Sequence, residues 1–427
     1  LAESPSLTRA SSLGMYVDTS GRRFTNPIQG LEHLTNLKEV NLIFGIEATN
    51  YTDSRDIKVG ENILEPYNRV ISTLSRNGKT KFNLNSGSLT WIATGTQDAS
   101  GKFNAVYLSK IPYTAFAKDK DTYNFMDGLE QRYGVEGADS REKTLFNKLN
   151  QIGKGEQELF AQAIDQMKGH QYANTQQRVQ ATGDILNKEF DYLRSEWQTV
   201  SKNSNKIKAF GMRDEYNTDT AGVIDYTSNA YGAAYVHENE TVKLGNSSGW
   251  YAGAVTNRFK FKDIGKSRES QTMLKAGIFK TMSPMTDHNG SLQWTIGGDV
   301  FVGRNEMKRK YLVVDDIFEA KSTYNTYGVS LQNELGYDIR MSERTHLRPY
   351  GSLKMEYGRF SDIKEETGQM RLEVEGNDYF SVKPEIGTEL AYRHHFGTSA
   401  VKAAVGVAYE NELGRVANGK NKARIAN

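Results

Sequence analysis

Few positions in this chain have the type and spacing that covalent chemistry needs. Gly397-Thr398-Ser399-Ala400 sets one serine among small residues, as a nucleophile would need, but a tight turn between two alternating segments accounts for the run. His394-His395 suggests a metal, yet successive strand residues point to opposite faces, and the seven histidines form no His-x-x-x-His pair. The absence of cysteine removes a disulfide framework, a thiolate zinc site and a cysteine nucleophile. Neither a Walker loop nor a His-Glu-x-x-His helix is present. The sequence predicts no enzyme, no metal and no cofactor.

Charge pairing is the chemistry better provided for, and a helix is the first element needed to position it. Leu145, Leu149 and Ile152, then Leu159, Ala163 and Met167, recur at three or four residues. That is helical spacing, and Gly153-Lys154-Gly155 and Gly169 punctuate it. From His170 to Val200, Tyr172, Gln176, Val179, Leu186, Phe190, Leu193 and Trp197 fall on one broad face, while most other positions are polar, Arg178, Lys188, Arg194 and Glu196 among them. Such a helix is too polar for lipid and too sparsely apolar for an ordinary core. Crossing ~30 Å takes roughly 20 residues at about 1.5 Å each, and Gln176 to Trp197 suffices. Taken alone, the segment also suits a solvated helix on a soluble domain.

Strands must supply the other half of the pairs. Tyr251, Gly253, Val255, Asn257, Phe259 and Phe261 form a mostly apolar row against Ala252, Ala254, Thr256, Arg258, Lys260 and Lys262. Leu292 to Val302, Tyr327 to Ile339, Leu347 to Tyr357, Phe380 to Tyr392 and Val401 to Tyr409 repeat the alternation. Their interleaved rows hold Asp299, Glu334, Arg348, Glu385, Glu389 and Arg393. Nine strands are expected, at about 205–213, 229–237, 249–261, 271–281, 291–303, 324–340, 346–359, 377–393 and 399–413. Many exceed the ~5–6 residues of a globular strand and reach the ~9–11 that a spanning strand needs. The apolar rows are assigned to lipid and the charged rows to a lumen, since closure removes exposed edges. Asp214–Ser228, Met307–Lys321 and Phe360–Gly376 read as long outer loops; Gly245–Ser248, Met341–Thr345 and His394–Thr398 read as short turns, the asymmetry of outer-membrane barrels. Inside a lumen unpaired charge is costly, so Arg178, Lys188, Arg194 and Glu196 should meet Asp299, Glu334, Arg348, Glu385, Glu389 and Arg393 and fix the helix as a plug. Lys308-Arg309-Lys310, in a predicted outer loop, is a solvated charge run, with anionic lipopolysaccharide as its sharper partner.

Composition agrees. Lys+Arg 54 against Asp+Glu 52 leaves +2, so no nucleic-acid partner is expected. A mean hydropathy of -0.64 is compatible with a membrane barrel, where only alternate strand residues face lipid. No apolar run approaches 18 residues, so a helical span is excluded. Residues 1–138 read as an irregular all-β piece, with Phe82-Asn83-Leu84-Asn85, Leu89 to Ala93 and Phe103 to Leu108 as short strands, in the manner of the last coils of a β-helix. Leu1 is not preceded by a signal peptide, which an exported chain needs.

Ala161-Gln162-Ala163-Ile164-Asp165-Gln166-Met167-Lys168-Gly169-His170-Gln171-Tyr172-Ala173 resembles the junction that precedes the helix and barrel of type Va autotransporters. His346-Leu347-Arg348-Pro349-Tyr350-Gly351-Ser352-Leu353 resembles a strand of the same domain. The likeness runs from about Arg141 to the end. Gly21–Asn26 and Leu108-Ser109-Lys110-Ile111-Pro112-Tyr113 look, more loosely, like the passenger end of fusobacterial autotransporter adhesins. The resemblance implies twelve strands around the helix, a passenger emerging at the surface, and insertion by the outer-membrane barrel assembly machinery. Nine strands and an ending at Ala423-Arg424-Ile425-Ala426-Asn427, without the family's terminal aromatic, imply a fragment truncated at both ends. Leu186-Asn187-Lys188 faintly resembles the in-helix cleavage site of some members, but Asp184-Ile185 replaces the cleaving Asn pair, so the passenger is expected to stay attached.

The sequence thus predicts a mainly β chain: passenger remnant 1–138, helical linker and lumenal helix 139–200, and an incomplete transmembrane antiparallel barrel 201–427. Its expected function is type V secretion from the bacterial outer membrane, anchored in lipid, displaying an adhesin to a host-surface receptor. A soluble all-β adhesin or carbohydrate-binding protein is the alternative; a passive porin would not need the helix.

Overall fold

The computed structural model describes residues 10–76, 78–137, 139–195, 203–240, 246–286, 290–416 and 420–426. Contacts divide the chain into two units, one of Leu1–Lys168, Tyr311–Phe318 and Arg424–Asn427, the other of Gly169–Lys310 and Glu319–Ala423.

In the first unit, β1 (Ser12–Val17), β2 (Glu39–Phe44) and β4 (Lys81–Ser86) form a parallel sheet. Its rungs stack Met15 beside Leu42 and Leu84, and Val17 beside Phe44. β3 (Asp56–Lys58), β6 (Phe103–Lys110) and β5 (Trp91–Gln97) form an antiparallel sheet. Two helices that an all-β reading passes over lie among these strands. In α1 (Glu61–Ser75), Ile63, Leu64, Tyr67, Ile71 and Leu74 make one buried stripe. In α2 (Lys120–Arg132), the Asp119 carboxylate caps the Thr122 N–H. Both follow helical period, diluted by the strand-like runs around them. Residues 139–168, grouped by sequence with the lumenal helix, belong to this unit as α3 (Arg141–Asn150) and α4 (Gln157–Met167). Their Phe146 and Phe160 stack on Tyr113, with ring centroids 6.2 and 6.0 Å away.

The second unit is a nine-strand antiparallel meander: β7 (Asn203–Tyr216), β8 (Tyr226–Glu240), β9 (Ser247–Phe261), β10 (Arg268–Thr286), β11 (Gly290–Val313), β12 (Asp316–Arg340), β13 (Thr345–Phe360), β16 (Asn377–Phe396) and β17 (Ser399–Glu410). The sheet curls around α5 (Thr175–Ser195), and β7 and β17 are its edges among the described residues. Two predicted loops are largely structured. Met307–Lys321 lies in the ends of β11 and β12, which turn at Val314 in a left-handed conformation (φ 62°). Phe360–Gly376 contains β14 (Ile363–Gly368) and β15 (Leu372–Val374). Their charged residues suggested loops, but pairing to a neighbouring strand satisfies the backbone and leaves every second side chain outside.

Side chains sort by face. Ile207, Leu274, Ile278, Val300, Val302, Val329, Leu331, Ile386, Val405 and Val407 are each more than half exposed on the outer face. β9 reverses its predicted orientation: Tyr251, Val255 and Phe259 are buried towards the helix, and Ala252 and Ala254 lie on the outer side. Alternation separates two rows without saying which one faces lipid, and here the apolar stripe of the helix claims the larger side chains. Inside, Phe279 lies opposite Gly249, Tyr251 opposite Gly277 and Tyr350 opposite Gly387. A Cβ on Gly249 would come within 2.8 Å of the Phe279 ring, and one on Gly387 within 2.7 Å of Tyr350, so these rings lie flat on bare backbone.

Candidate functional site: the helix in its lumen

α5 has 21 residues, about 30 Å at 1.5 Å each. One side of it is apolar. Val179, Ile185, Leu186, Phe190 and Leu193 pack with Ala230, Ala234, Val236, Tyr251 and Val255 from β8 and β9. Phe190 and Tyr251 meet with ring centroids 4.5 Å apart. The opposite side is a series of polar joints to several strands.

Nearest the helix start, Arg178 Nε donates to Glu269 Oε1 at 2.8 Å, with both side chains buried. Glu269 also accepts from Tyr324 Oη at 2.6 Å and Gln271 Nε2 at 2.7 Å. Its charge is therefore satisfied on several sides, the condition for keeping a carboxylate dry. Thr182 donates to Gln271 Oε1 at 2.6 Å, and Gln180 Nε2 to Ser381 Oγ at 2.8 Å. Further along, Lys383 Nζ donates to Asp184 at 3.0 Å, Lys354 Nζ to Asp191 at 3.2 Å, and Lys208 Nζ pairs with Glu189 at 2.8 Å. Lys275, buried in the wall, donates to Asn187 Oδ1 at 2.9 Å and faces Glu356 and Asp299 at 3.5 and 3.7 Å.

The ten positions expected to pair divide unevenly. Arg178 is a plug contact, but its partner is Glu269, which the sequence reading did not single out. Arg194 pairs with Asp191 on its own helix and sits over the Tyr251 and Phe279 rings at 5.1 and 5.3 Å. Lys188 is exposed, and Glu196 lies outside the described residues. On the wall, Arg348 bridges Glu334 at 3.1 Å and Glu389 at 3.5 Å, while Glu385 accepts from Tyr350 Oη at 2.9 Å. Asp299 accepts from Tyr251 Oη at 2.8 Å and from Ser330. These four acids and Arg348 therefore tie wall to wall. Arg393 lies half-buried on β16. The helix presents mostly acids to wall lysines, the reverse of the expected bias. Lys354 and Lys383 stand in the charged rows, so their inward direction was visible; their threading register against the helix was not.

The other candidates take the following places. Arg309 is fully buried against Glu365 in β11, so Lys308-Arg309-Lys310 is no solvated loop. Ser399 opens β17, and His394 contacts Arg344 at 3.0 Å and the Phe396 ring at 4.3 Å. The sequence also holds a Gly-x-Ser-x-Gly run at 245–249 that was not singled out above; its Ser247 begins β9 and donates to Glu238 Oε1 at 2.6 Å. Among the described residues, no three His, Asp or Glu side chains are grouped to hold a metal.

Residues 207–424 match the family model for the autotransporter beta-domain. The translocator domain of the autotransporter NalP from Neisseria meningitidis is similar in structure, at 12% identity and a TM-score of 0.43, covering 57% of this chain and 78% of that one. No curated protein matches the chain.

Proposed function

The chain belongs to the autotransporter family, and on that premise we propose that the unit ahead of its barrel is an adhesive passenger segment. The barrel domain is an outer-membrane translocator that displays a passenger at the cell surface. An apolar outer wall and a lumen filled by α5, packed on one side and joined by polar contacts on the other, are the arrangement that this task requires.

One observation carries the adhesive reading. Tyr16, Phe24 and Tyr51 are each about half exposed, and Arg22 lies 4.1 Å over the Tyr51 ring. Tyr67 Oη holds the neighbourhood together, reaching the Tyr16 carbonyl at 3.1 Å and Thr25 Oγ1 at 2.6 Å. Exposed Tyr, Phe and Arg on a supported patch are the residue types enriched where proteins meet. They suit a host-surface receptor, and no catalytic role belongs to this reading. Cells displaying the full-length protein should bind host-cell surfaces, and Phe24→Ala with Tyr51→Ala should reduce binding several-fold at equal surface display. Equal binding by the double variant would remove the patch from the proposal. Insertion by the outer-membrane barrel assembly machinery belongs to the same proposal, because an apolar wall invites aggregation in water. Depleting that machinery should deplete the heat-modifiable form of the barrel.

A further inference from the structure

We propose that the outer wall across β9, β10 and β11 is a binding site for a phosphorylated, multiply acylated glycolipid of the outer leaflet, the lipid A part of lipopolysaccharide. The proposal rests on the barrel lying in the outer membrane and adds a specific lipid to it.

The site has a charged head. Antiparallel register sets Lys260, Arg268 and Lys308 side by side on three adjacent strands. Two strand spacings come to about 10 Å, the scale of a disaccharide with a phosphate at each end. The next two rungs towards the lipid add Arg258 and Arg304, with Glu306 as the acid between them. Four of these five cations are exposed and Lys308 is half-buried, all on the outward row of their strands. Arg258 lies over the Tyr231 ring at 5.6 Å. Like charges on one face of a sheet repel. Among the described residues, Lys260, Arg268, Arg304 and Lys308 form no ion pair, whereas Lys262 beside them is matched by Glu215. On another part of the wall Arg359 of β13 lies opposite Asp378 of β16. The unbalanced charge therefore belongs to one side of the barrel.

Below the head lies an apolar trough of about 530 Å³. Ala233, Ala252 and Ala254 form its floor, and Ile207 on β7 and Leu274 and Val302 on β10 and β11 form its rims. The rung Ala254, Leu274 and Val302 follows directly on the rung that holds Arg304. In the hydrocarbon layer such a trough holds an acyl chain, and the cations above it hold the phosphates of the same molecule. The level of the cluster agrees. Arg178, near the start of α5, reaches Glu269, the neighbour of Arg268 on β10, and the passenger precedes that helix and is displayed outside. The cations thus stand at the outer-leaflet end. A phospholipid brings one phosphate to five cations, and a second copy of this face would set cations against cations. A bisphosphorylated glycolipid answers both the head and the trough.

The test uses the full-length protein, extracted from outer membranes into detergent and freed of lipid. It is titrated with bisphosphorylated lipid A, with dephosphorylated lipid A and with phosphatidylglycerol. The first should bind saturably and at least tenfold tighter than either of the others, a comparison that needs no variant. Lys260→Gln with Arg268→Gln and Arg304→Gln should weaken lipid A binding at least tenfold. Ala254→Trp, which fills the trough, should weaken it several-fold, and Arg359→Gln should leave it unchanged. Heat-modifiable mobility shows that each variant keeps its barrel. Phosphatidylglycerol binding as tightly as lipid A, or undiminished lipid A binding by the heat-modifiable triple variant, would overturn the site. A dimer through this face that excludes lipid A would do the same, and unchanged binding by Ala254→Trp would remove the trough. If the unaltered protein leaves the envelope without detergent, the outer-membrane placement has failed, a different outcome from any of these.

Discussion

The two units put the same side chains to opposite use. In the first, Val106 and Leu108 of β6 are fully buried, and the strand has a wet face and a dry one. In the second, Val329 and Leu331 of β12 stand more than half exposed, while the opposite face carries Ser330 and Glu334 to polar partners. Buried and exposed side chains alternate in both, over a long stretch in β12 and from Val106 to Leu108 in β6. What differs is the interior: aromatic and aliphatic packing around Tyr113 in one, and in the other a lumen that is apolar on one side of the helix and charged on the other. The pattern within a strand therefore reports that two environments exist, and only strand length and the inner partners identify them.

Substitutions that exchange the two rules test this contrast, and the largest effect belongs to the first unit. Leu108→Asp places an unpaired charge in a dry core and should cost about 4 kcal/mol or more. It should make the displayed unit protease-sensitive while leaving the barrel heat-modifiable; a resistant unit would show that the core is not dry. Phe190→Ala leaves a cavity against Tyr251 and should cost about 3–4 kcal/mol of helix docking, read as higher ion conductance through the full-length barrel in planar bilayers. Val329→Arg should reduce barrel stability in vesicles by about 2–4 kcal/mol if that position lies near the bilayer midplane, whereas Val329→Ala should do far less. Equal stability of the arginine variant would mean that this face never meets lipid.

Protons give a smaller effect. Lys110 is buried on the Tyr113 ring beside Glu130, and burial pulls its pKa down to about 8. An unfolded lysine titrates near 10.4. Between those values the unfolded chain holds a proton that the folded unit has shed, so stability should rise with pH, by about 1 kcal/mol from pH 8 to 9. Denaturant melts at the two pH values, with Lys110→Met removing the increment, would check this. Least of all, Glu189→Gln at the partly exposed pair with Lys208 should change plug conductance by less than about 1 kcal/mol equivalent. An effect as large as that of Phe190→Ala would mean that ionic joints, not the apolar stripe, hold the helix.

Much of the second unit was legible because its strands are long and its helix is oddly polar. Arg178 stood out as a charge on the sparse face of a threaded rod. Its partner Glu269 did not, since Arg268 to Gln271 carry no periodic signal strong enough to pick one acid from its neighbours. The orientation of β9 was missed because the lumen is half greasy: a wall that packs on Leu186 and Phe190 carries the same residues as a wall that meets lipid. The buried Arg309 was hidden by Lys308 and Lys310, half-buried neighbours on one strand and not a loop. In the first unit, α1 went unread because one amphipathic stripe among short strands resembles them in composition.

The rings seated on glycine have a bearing on cargo. Tyr251, Phe279 and Tyr350 each occupy a notch in the adjacent strand, and strand number alone does not set the calibre that remains. A methyl group in one notch would tip its ring towards the axis and narrow the gauge; trimming a ring would widen it without altering the staves. Such edits offer a graded handle on how bulky an exported polypeptide this channel admits.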